Sequence, residues 1–359
     1  RLRLTPRQRE IAEFLVLHHL LMSSTSQRRD ISDPELVARF AQTCGDVEKL
    51  VCLYLLTWAD IASVGPGMWT EWKARLLAEL FHSARARLLG QPHAVEDTLA
   101  TARKAFEERW ARALGPERAA RLSEILPDRY FQTADAGSAR LHGALLDRVA
   151  RHGFAAALRH PKGLAYSELT LAAPDRPGLL ALFAGVLSAH GIDVHRARIA
   201  STTDGRALDV FDVAVPRRGP LERARWRSAR ADLLRVLMGE TTVEEVLRRR
   251  CPNALFERPV PRVATRVTVD NRASALFSVV DVRAEDRVGL LYVIASALRE
   301  AGATIALAKI ATEGNRAIDS FYVTRNGTKI ADPGEVEGLA RQVHEAVDAF
   351  EGARPLGLR

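Results

Sequence analysis

The chain of 359 residues is poor in cysteine, lysine and aromatic rings, and each shortage narrows what it can be. Its three cysteines, Cys44, Cys52 and Cys251, form no Cys-x-x-Cys pair. That excludes a disulfide scaffold or a zinc cluster and fits a reducing cytoplasm. No apolar run approaches the roughly 20 residues that a membrane span requires. The most apolar stretch, 11–22, is interrupted by Glu13, His18 and His19, so neither a spanning segment nor a signal peptide is expected. The formal charge is +8, but only six of the 52 basic residues are lysine, and the 46 arginines are interleaved with Glu and Asp. With 6% aromatics and no basic run to track phosphates, nucleic acid is not an expected partner.

What remains, 47% apolar and 27% charged residues, is the composition of a folded globular protein with room for two or three domains. The chain opens on Arg1 and enters mid-stream at Leu4-Thr5-Pro6, so it is expected to be a piece of a longer protein.

Residues 5 to about 158 read as almost wholly helical, with apolar residues recurring at three and four. Thr5-Pro6 opens the first helix, Asp33-Pro34-Glu35 the second, and Asp46 to Val64 makes a third that Gly65-Pro66-Gly67 ends. Further helices are expected at 70–89, within 95–125 and at 139–151, before a linker at His160-Pro161-Lys162-Gly163.

Beyond Gly163 strands alternate with helices, and there is an internal repeat. A strand at 167–173 runs into Pro174-Asp175-Arg176-Pro177-Gly178-Leu179-Leu180 and a helix; a strand at 277–284 runs into Glu285-Asp286-Arg287-Val288-Gly289-Leu290-Leu291 and a helix. The landmarks are offset by 111 residues. Two more strands follow in each copy (193–200 and 208–213; 304–311 and 318–323), then a helix (221–248; 333–350). Arg266 to Asn271 is expected to add the closing strand of the first copy. The fold class is therefore α+β: a helical half followed by two tandem ferredoxin-like βαββαβ modules.

A loop of this kind exposes free N–H groups at the positive end of a helix dipole, which suits a carboxylate. Gly178 or Gly289 lets a ligand approach, and Asp175 or Asp286 can hold an α-ammonium group. The plain alternative is an Asp that caps the helix and a Gly that turns the chain. The Asp-x-Pro-Gly-Leu loop in this frame resembles the ACT domain, a module that binds small ligands, mostly amino acids, at interfaces between paired copies. The resemblance covers about 165–271 and 275–352 and implies an amino-acid site at Asp175, Arg176, Pro177, Gly178 and Leu179 and another at Asp286, Arg287, Gly289 and Leu290. The second loop has Val288 in place of Pro177 and is less rigid.

In the helical half, Asp60 lies on an otherwise apolar helix, where an ionised carboxylate needs a cation, a metal or donors. His18 and His19 could share a metal with it, or Arg28 or Arg29 could pair with it. His-His-Leu-Leu-Met-Ser (18–23), Arg-Arg-Asp-Ile-Ser-Asp-Pro (28–34), Leu-Leu-Thr-Trp-Ala-Asp-Ile (55–61) and Val-Gly-Pro-Gly-Met-Trp-Thr-Glu-Trp-Lys (64–73), ahead of two ACT modules, resemble the bifunctional uridylyltransferase/uridylyl-removing family that acts on the nitrogen-signalling protein PII. The resemblance implies the end of an HD-type phosphohydrolase domain over 1–90, a helical connector over 91–163, and ACT domains over 164–272 and 273–359. It also implies Asp60, His18 and His19 as remnants of a site for magnesium or another divalent metal, PII as partner, glutamine as effector, and UTP as substrate only of the longer parent. The transferase's Asp-x-Asp pair is missing, since the only Gly-Ser, Gly137-Ser138, is followed by Ala-Arg-Leu-His, and no His-Asp dyad occurs. The chain by itself is thus expected to be inactive or nearly so. A non-enzymatic, ACT-pair amino-acid-binding regulator on a helical scaffold stays open as the alternative.

Overall fold

A computed structural model of the protein describes residues 4–31, 33–63, 69, 71–90, 95–134, 136–161, 166–215, 219–250, 264–313 and 316–352. The chain divides into two compact units, residues 1–101 and 102–359. The first contains α1 (Pro6–His18), α2 (Leu21–Arg28), α3 (Pro34–Cys44), α4 (Val47–Ser63) and α5 (Glu71–Leu88). Thr5 and Gln8 close α1 with a reciprocal capping box. Arg7 ties α1 to the start of α4 through Asp46 at 2.7 Å and Glu48 at 2.9 Å. Phe14, Met22, Phe40, Leu50, Leu53, Leu77 and Leu80 form the core. The sequence did not separate α2 from the apolar stretch before it, and Gly65-Pro66-Gly67 lies outside the described residues.

Helix α6 (Val95–Leu114) begins in the last residues of the first unit and continues into the second, where α7 (Pro116–Ile125), α8 (Asp128–Thr133) and α9 (Ala139–His152) follow it ahead of the sheet. Phe106, Trp110, Tyr130 and Phe131 stack among these helices, Trp110 Nε1 donates to the Ala139 carbonyl at 2.7 Å, and Tyr130 Oη meets His142 Nδ1 at 2.7 Å.

Among the described residues the sheet has eight strands: β1 (Ala155–Arg159), β2 (Ser167–Pro174), β3 (Asp193–Ser201), β4 (Arg206–Ala214), β5 (Arg266–Asp270), β6 (Ser278–Glu285), β7 (Thr304–Glu313) and β8 (Arg316–Thr324). Their order is β1-β2-β4-β3-β7-β8-β6-β5, with every neighbouring pair antiparallel. Helices α10 (Leu179–Ala189), α11 (Arg223–Leu237) and α12 (Val243–Arg250) belong to the first module, and α13 (Leu290–Glu300) and α14 (Pro333–Gly352) to the second. At the seam Ala197 pairs with Ala308, Arg196 with Lys309 and Arg198 with Leu307. Since 197 and 308 are one repeat apart, the seam pairs each module with its own counterpart, the register of a pseudo-twofold axis.

Three expectations are corrected. Residues 155–159, read as helical, form edge strand β1 against β2, with Ala157 opposite Thr170. Strand β5 does not close the first module; it pairs with β6, Val267 opposite Val282, at the far edge of the second. In each module the place beside the first repeat strand is thus filled by a strand that precedes it in the chain. An alternating strand reads the same at either edge, so its pattern could not say which module it completes. The helix read over 221–248 breaks at Gly239, with φ of 76°, into α11 and α12. The two pieces are held together at the buried Asp232, which accepts from Arg249 at 2.6 Å and Arg250 at 3.1 Å and lies 2.9 Å from His190 Nε2.

Candidate functional site

The two loops are built alike. Gly178 and Gly289 are the N-cap residues of α10 and α13, with φ of 85° and 94°, a left-handed backbone that glycine adopts without a Cβ penalty. Leu179 N–H donates to the Arg176 carbonyl at 3.2 Å and Leu182 N–H to that of Gly178 at 3.0 Å. Leu290 and Val293 repeat both bonds one module on, each at 3.0 Å.

Their surroundings differ. The first loop forms one wall of a cleft of about 460 Å³, with Asp175, Arg176, Pro177, Gly178 and Leu179 all lining it. The opposite wall comes from the second module: Arg299 near the end of α13 and Thr304 at the start of β7. The cleft is thus shared by two modules inside one chain. Arg299 lies against Gly178, where a Cβ would stand only 2.8 Å from Arg299 Cδ and 3.4 Å from its Nη1. Around the second loop, a Cβ on Gly289 would instead meet Phe350 and Leu247 at 3.7–3.8 Å. Arg287 Nη1 donates to the Glu351 carbonyl at 3.1 Å, and Asp286 accepts from Thr312 at 3.1 Å. Asp193 at the start of β3, one repeat before Thr304, is exposed and has its carboxyl raised by partial desolvation and by the charge of Asp286 nearby.

Two functional candidates escaped the sequence reading. Along β4, Ala207, Phe211 and Val213 face the apolar core, and so does Asp209 between them; along β8 the row is Ala317, Asp319, Phe321 and Val323. Asp209 is 1% and Asp319 2% exposed, and the Oδ1 atom of each has no hydrogen-bond partner. Burial first, then the charge of Asp175, holds Asp209 well above the usual carboxylate range; burial and Asp286 do the same to Asp319. Asp209 lines the cleft. The signal was an acid at an inward place of a strict alternation, repeated in both copies. Arg299 left no comparable mark, because its role depends on which element lies across from it.

The proposed metal set does not assemble. Asp60 is exposed on α4, His18 rests beside Phe14 with ring centroids 4.9 Å apart, and His19 is exposed with Nδ1 3.0 Å from the Val16 carbonyl. Among the described residues no three His, Cys, Asp or Glu side chains group to hold a metal ion. Among the described residues, Asp60, His18 and His19 therefore do not form a metal cluster by themselves. The helix bearing Asp60 also exposes Val51, Leu55 and Trp58, so its apolar character did not mean burial.

Fold and loops together define a tandem ACT-domain protein. The family model for the ACT domain matches residues 167–225, and the model described as the ACR9-like, ACT-like domain matches 266–350, a span that begins with β5. Over nearly its whole length the chain is homologous to part of the bifunctional uridylyltransferase/uridylyl-removing enzymes. It is 33% identical over 97% of its length to the enzyme of Rhodospirillum rubrum, 36% over 90% to that of Phenylobacterium zucineum and 34% over 96% to that of Caulobacter vibrioides. It spans 37%, 35% and 37% of the length of these three relatives. Among the described residues no helix is long and apolar enough to cross a membrane.

Proposed function

We propose that this chain is the amino-acid-sensing part of a protein of the uridylyltransferase/uridylyl-removing kind, with glutamine as effector. The observation that carries the reading is the cleft shared by the two ACT modules, with the Asp175–Leu179 loop as one wall. Occupancy of a cleft with walls from both modules would bias how they pack, which is how a binding site is coupled to a distant one. Glutamine itself is what the family resemblance implies; the loop reads only the ammonium and carboxylate that all α-amino acids share.

The longer parent would attach UMP from UTP to PII and remove it, in the cytoplasm, using a divalent metal. The chain alone would have neither activity, because it contains neither the Asp-x-Asp pair nor a His-Asp dyad. Calorimetric titration with glutamine and with glutamate tests the reading. Saturable binding of glutamine, weaker for glutamate and weakened by Asp175→Ala, is expected; no binding of either amino acid overturns it.

A further inference from the structure

We propose that the cleft at the first loop is the single amino-acid site of the chain, with Arg299 of the second module taking the α-carboxylate and the buried Asp209 taking the α-ammonium group. This rests on the amino-acid-sensing reading above and says which residues do the reading and how many ligands are held.

The anion end is built from two positive features brought face to face. The first turn of α10, residues Leu179 to Ala181, opens on the cleft with its dipole's positive end. The Arg299 guanidinium, whose Nη2 also pairs with Glu300 at 3.0 Å on the exposed side of α13, approaches Gly178 from the opposite wall, as close as a glycine alone permits. Two like poles converging on one space favour an anion between them. The cation end is Asp209, with an unpartnered Oδ1 and almost no exposure. The Asp209 carboxyl takes a backbone hydrogen bond at Ala200 but leaves Oδ1 unpartnered; a buried unpaired oxygen is costly in the empty protein, and an ammonium group in the cleft supplies the missing partner.

The second loop lacks half of this arrangement. It has the counterpart acids, Asp286 and Asp319, but one repeat before Arg299 stands Ser188, and one repeat before Thr304 stands Asp193. An incoming carboxylate there meets a third acid instead of a guanidinium. One ligand per chain follows.

The charged groups lining the first cleft are Asp175 and Arg176 from the loop, Asp209 from β4 and Arg299 from α13. Burial and Asp175 raise the Asp209 carboxyl, and pairing with an ammonium group favours its charged form, so ligand binding should shift Asp209 toward proton release.

The test is calorimetry of the 359-residue chain with L-glutamine in buffers of different ionisation enthalpy. One site per chain and net proton release on binding are expected, with Arg299→Gln and Asp209→Asn each weakening binding at least tenfold and Asp209→Asn reducing the proton release. Asp193→Asn and Asp319→Asn should change affinity less than twofold. N-acetylglutamine and glutaminamide, which lack the ammonium and the carboxylate, should each bind at least tenfold more weakly to the wild-type chain. These ligands keep the test decisive even if a variant does not fold. Two sites per chain, undiminished binding to Arg299→Gln, or N-acetylglutamine binding as well as glutamine overturns the proposal while leaving amino-acid sensing in place. Failure of the wild type to bind any amino acid overturns both.

Discussion

The two ACT modules share a loop, a register and an inward row of Ala-Asp-Phe-Val, yet they differ in what faces them. The first loop meets Arg299 and Thr304 across an open cleft; the second meets Asp193, Phe350 and Leu247. The strands are constrained by pairing and core, where one exchange is felt by many neighbours. Residues that face the other module across a solvent gap are less constrained, so a repeat can keep its frame and change its chemistry. The helices show the same divergence. Gly185 on α10 lies so close to α12 and α13 that a Cβ there would stand 2.3 Å from Val243 Cγ1 and 3.1 Å from the Tyr292 ring, while its counterpart in the second module is Ser296.

The largest effect should come from breaking that contact. Gly185→Leu forces a branched side chain into occupied space between three helices, and overpacking of this kind costs about 3 kcal/mol. Calorimetric unfolding should show a Tm lower by roughly 6–12 °C for a unit of this size. Ser296→Ala, which removes only a hydroxyl bonded to Tyr292, should cost less than about 1 kcal/mol. Equal losses at the two places would show that the helices do not pack as asymmetrically as described.

Much of this comparison was legible in the sequence, and the missing parts share one cause. The repeated loops, the alternation of the strands at 167–173 and 318–323 and the break before the sheet are local patterns, each a property of a few consecutive residues. Ala155-Ala156-Ala157-Leu158 favours a helix locally, but pairing with β2 overrides that preference. Val267 and Val269 alternate correctly as a strand without saying which edge they occupy. Arg299 and Asp209 line one cleft because β3 and β7 pair at the seam and α10 packs on α13, and nothing near either residue in the sequence records that. The exposure of Asp60 has the converse cause: its neighbours look like a core helix, but much of that apolar face is exposed.

The next effect concerns the buried acids and sharpens what the modules have in common. Asp209 and Asp319 both have carboxyls raised by burial, so each favours the folded state most at low pH. That contribution is fully present below the unfolded carboxylate pKa of about 4 and is lost as pH rises toward the folded value. Asp209→Asn and Asp319→Asn remove an ionisable group from an apolar row and should stabilise the ligand-free protein at pH 8 by about 1–3 kcal/mol. At pH 4 the gain should nearly vanish, because the wild-type carboxyls are protonated there. Urea unfolding at both pH values checks this. A loss of stability at pH 8 for Asp209→Asn would mean that the acid holds the first module together, and its place in the cleft would then be structural.

Gly178 and Gly289 separate strain from chemistry. Alanine at either has an unfavourable positive φ, costing about 1–2 kcal/mol in each case. Only at Gly178 does the new methyl also push Arg299 aside, since the nearest atom beyond Gly289 is 3.7 Å away. Gly178→Ala and Gly289→Ala should therefore lower Tm by similar amounts, while only the first weakens glutamine binding. If both leave binding intact, the guanidinium is not where the ligand is read.

The smallest effect tests the one difference within the loops themselves. Pro177 restricts the unfolded chain at a place where Val288 does not, and the glycines that follow have nearly the same φ, so the second loop can accept the first loop's residue. Val288 is half exposed, so replacing it empties no core space. Val288→Pro should then stabilise the second module by about 0.4–1 kcal/mol through the unfolded state. Chemical denaturation should show a higher midpoint with an unchanged slope, as expected when stability rises without a change in the surface exposed on unfolding. A lower midpoint would mean that the Val288 N–H is needed in the second loop. The two loops would then differ in backbone as well as in what faces them, and the lack of a counterpart to Arg299 and the presence of Asp193 would no longer be the only reasons to assign the ligand to the first.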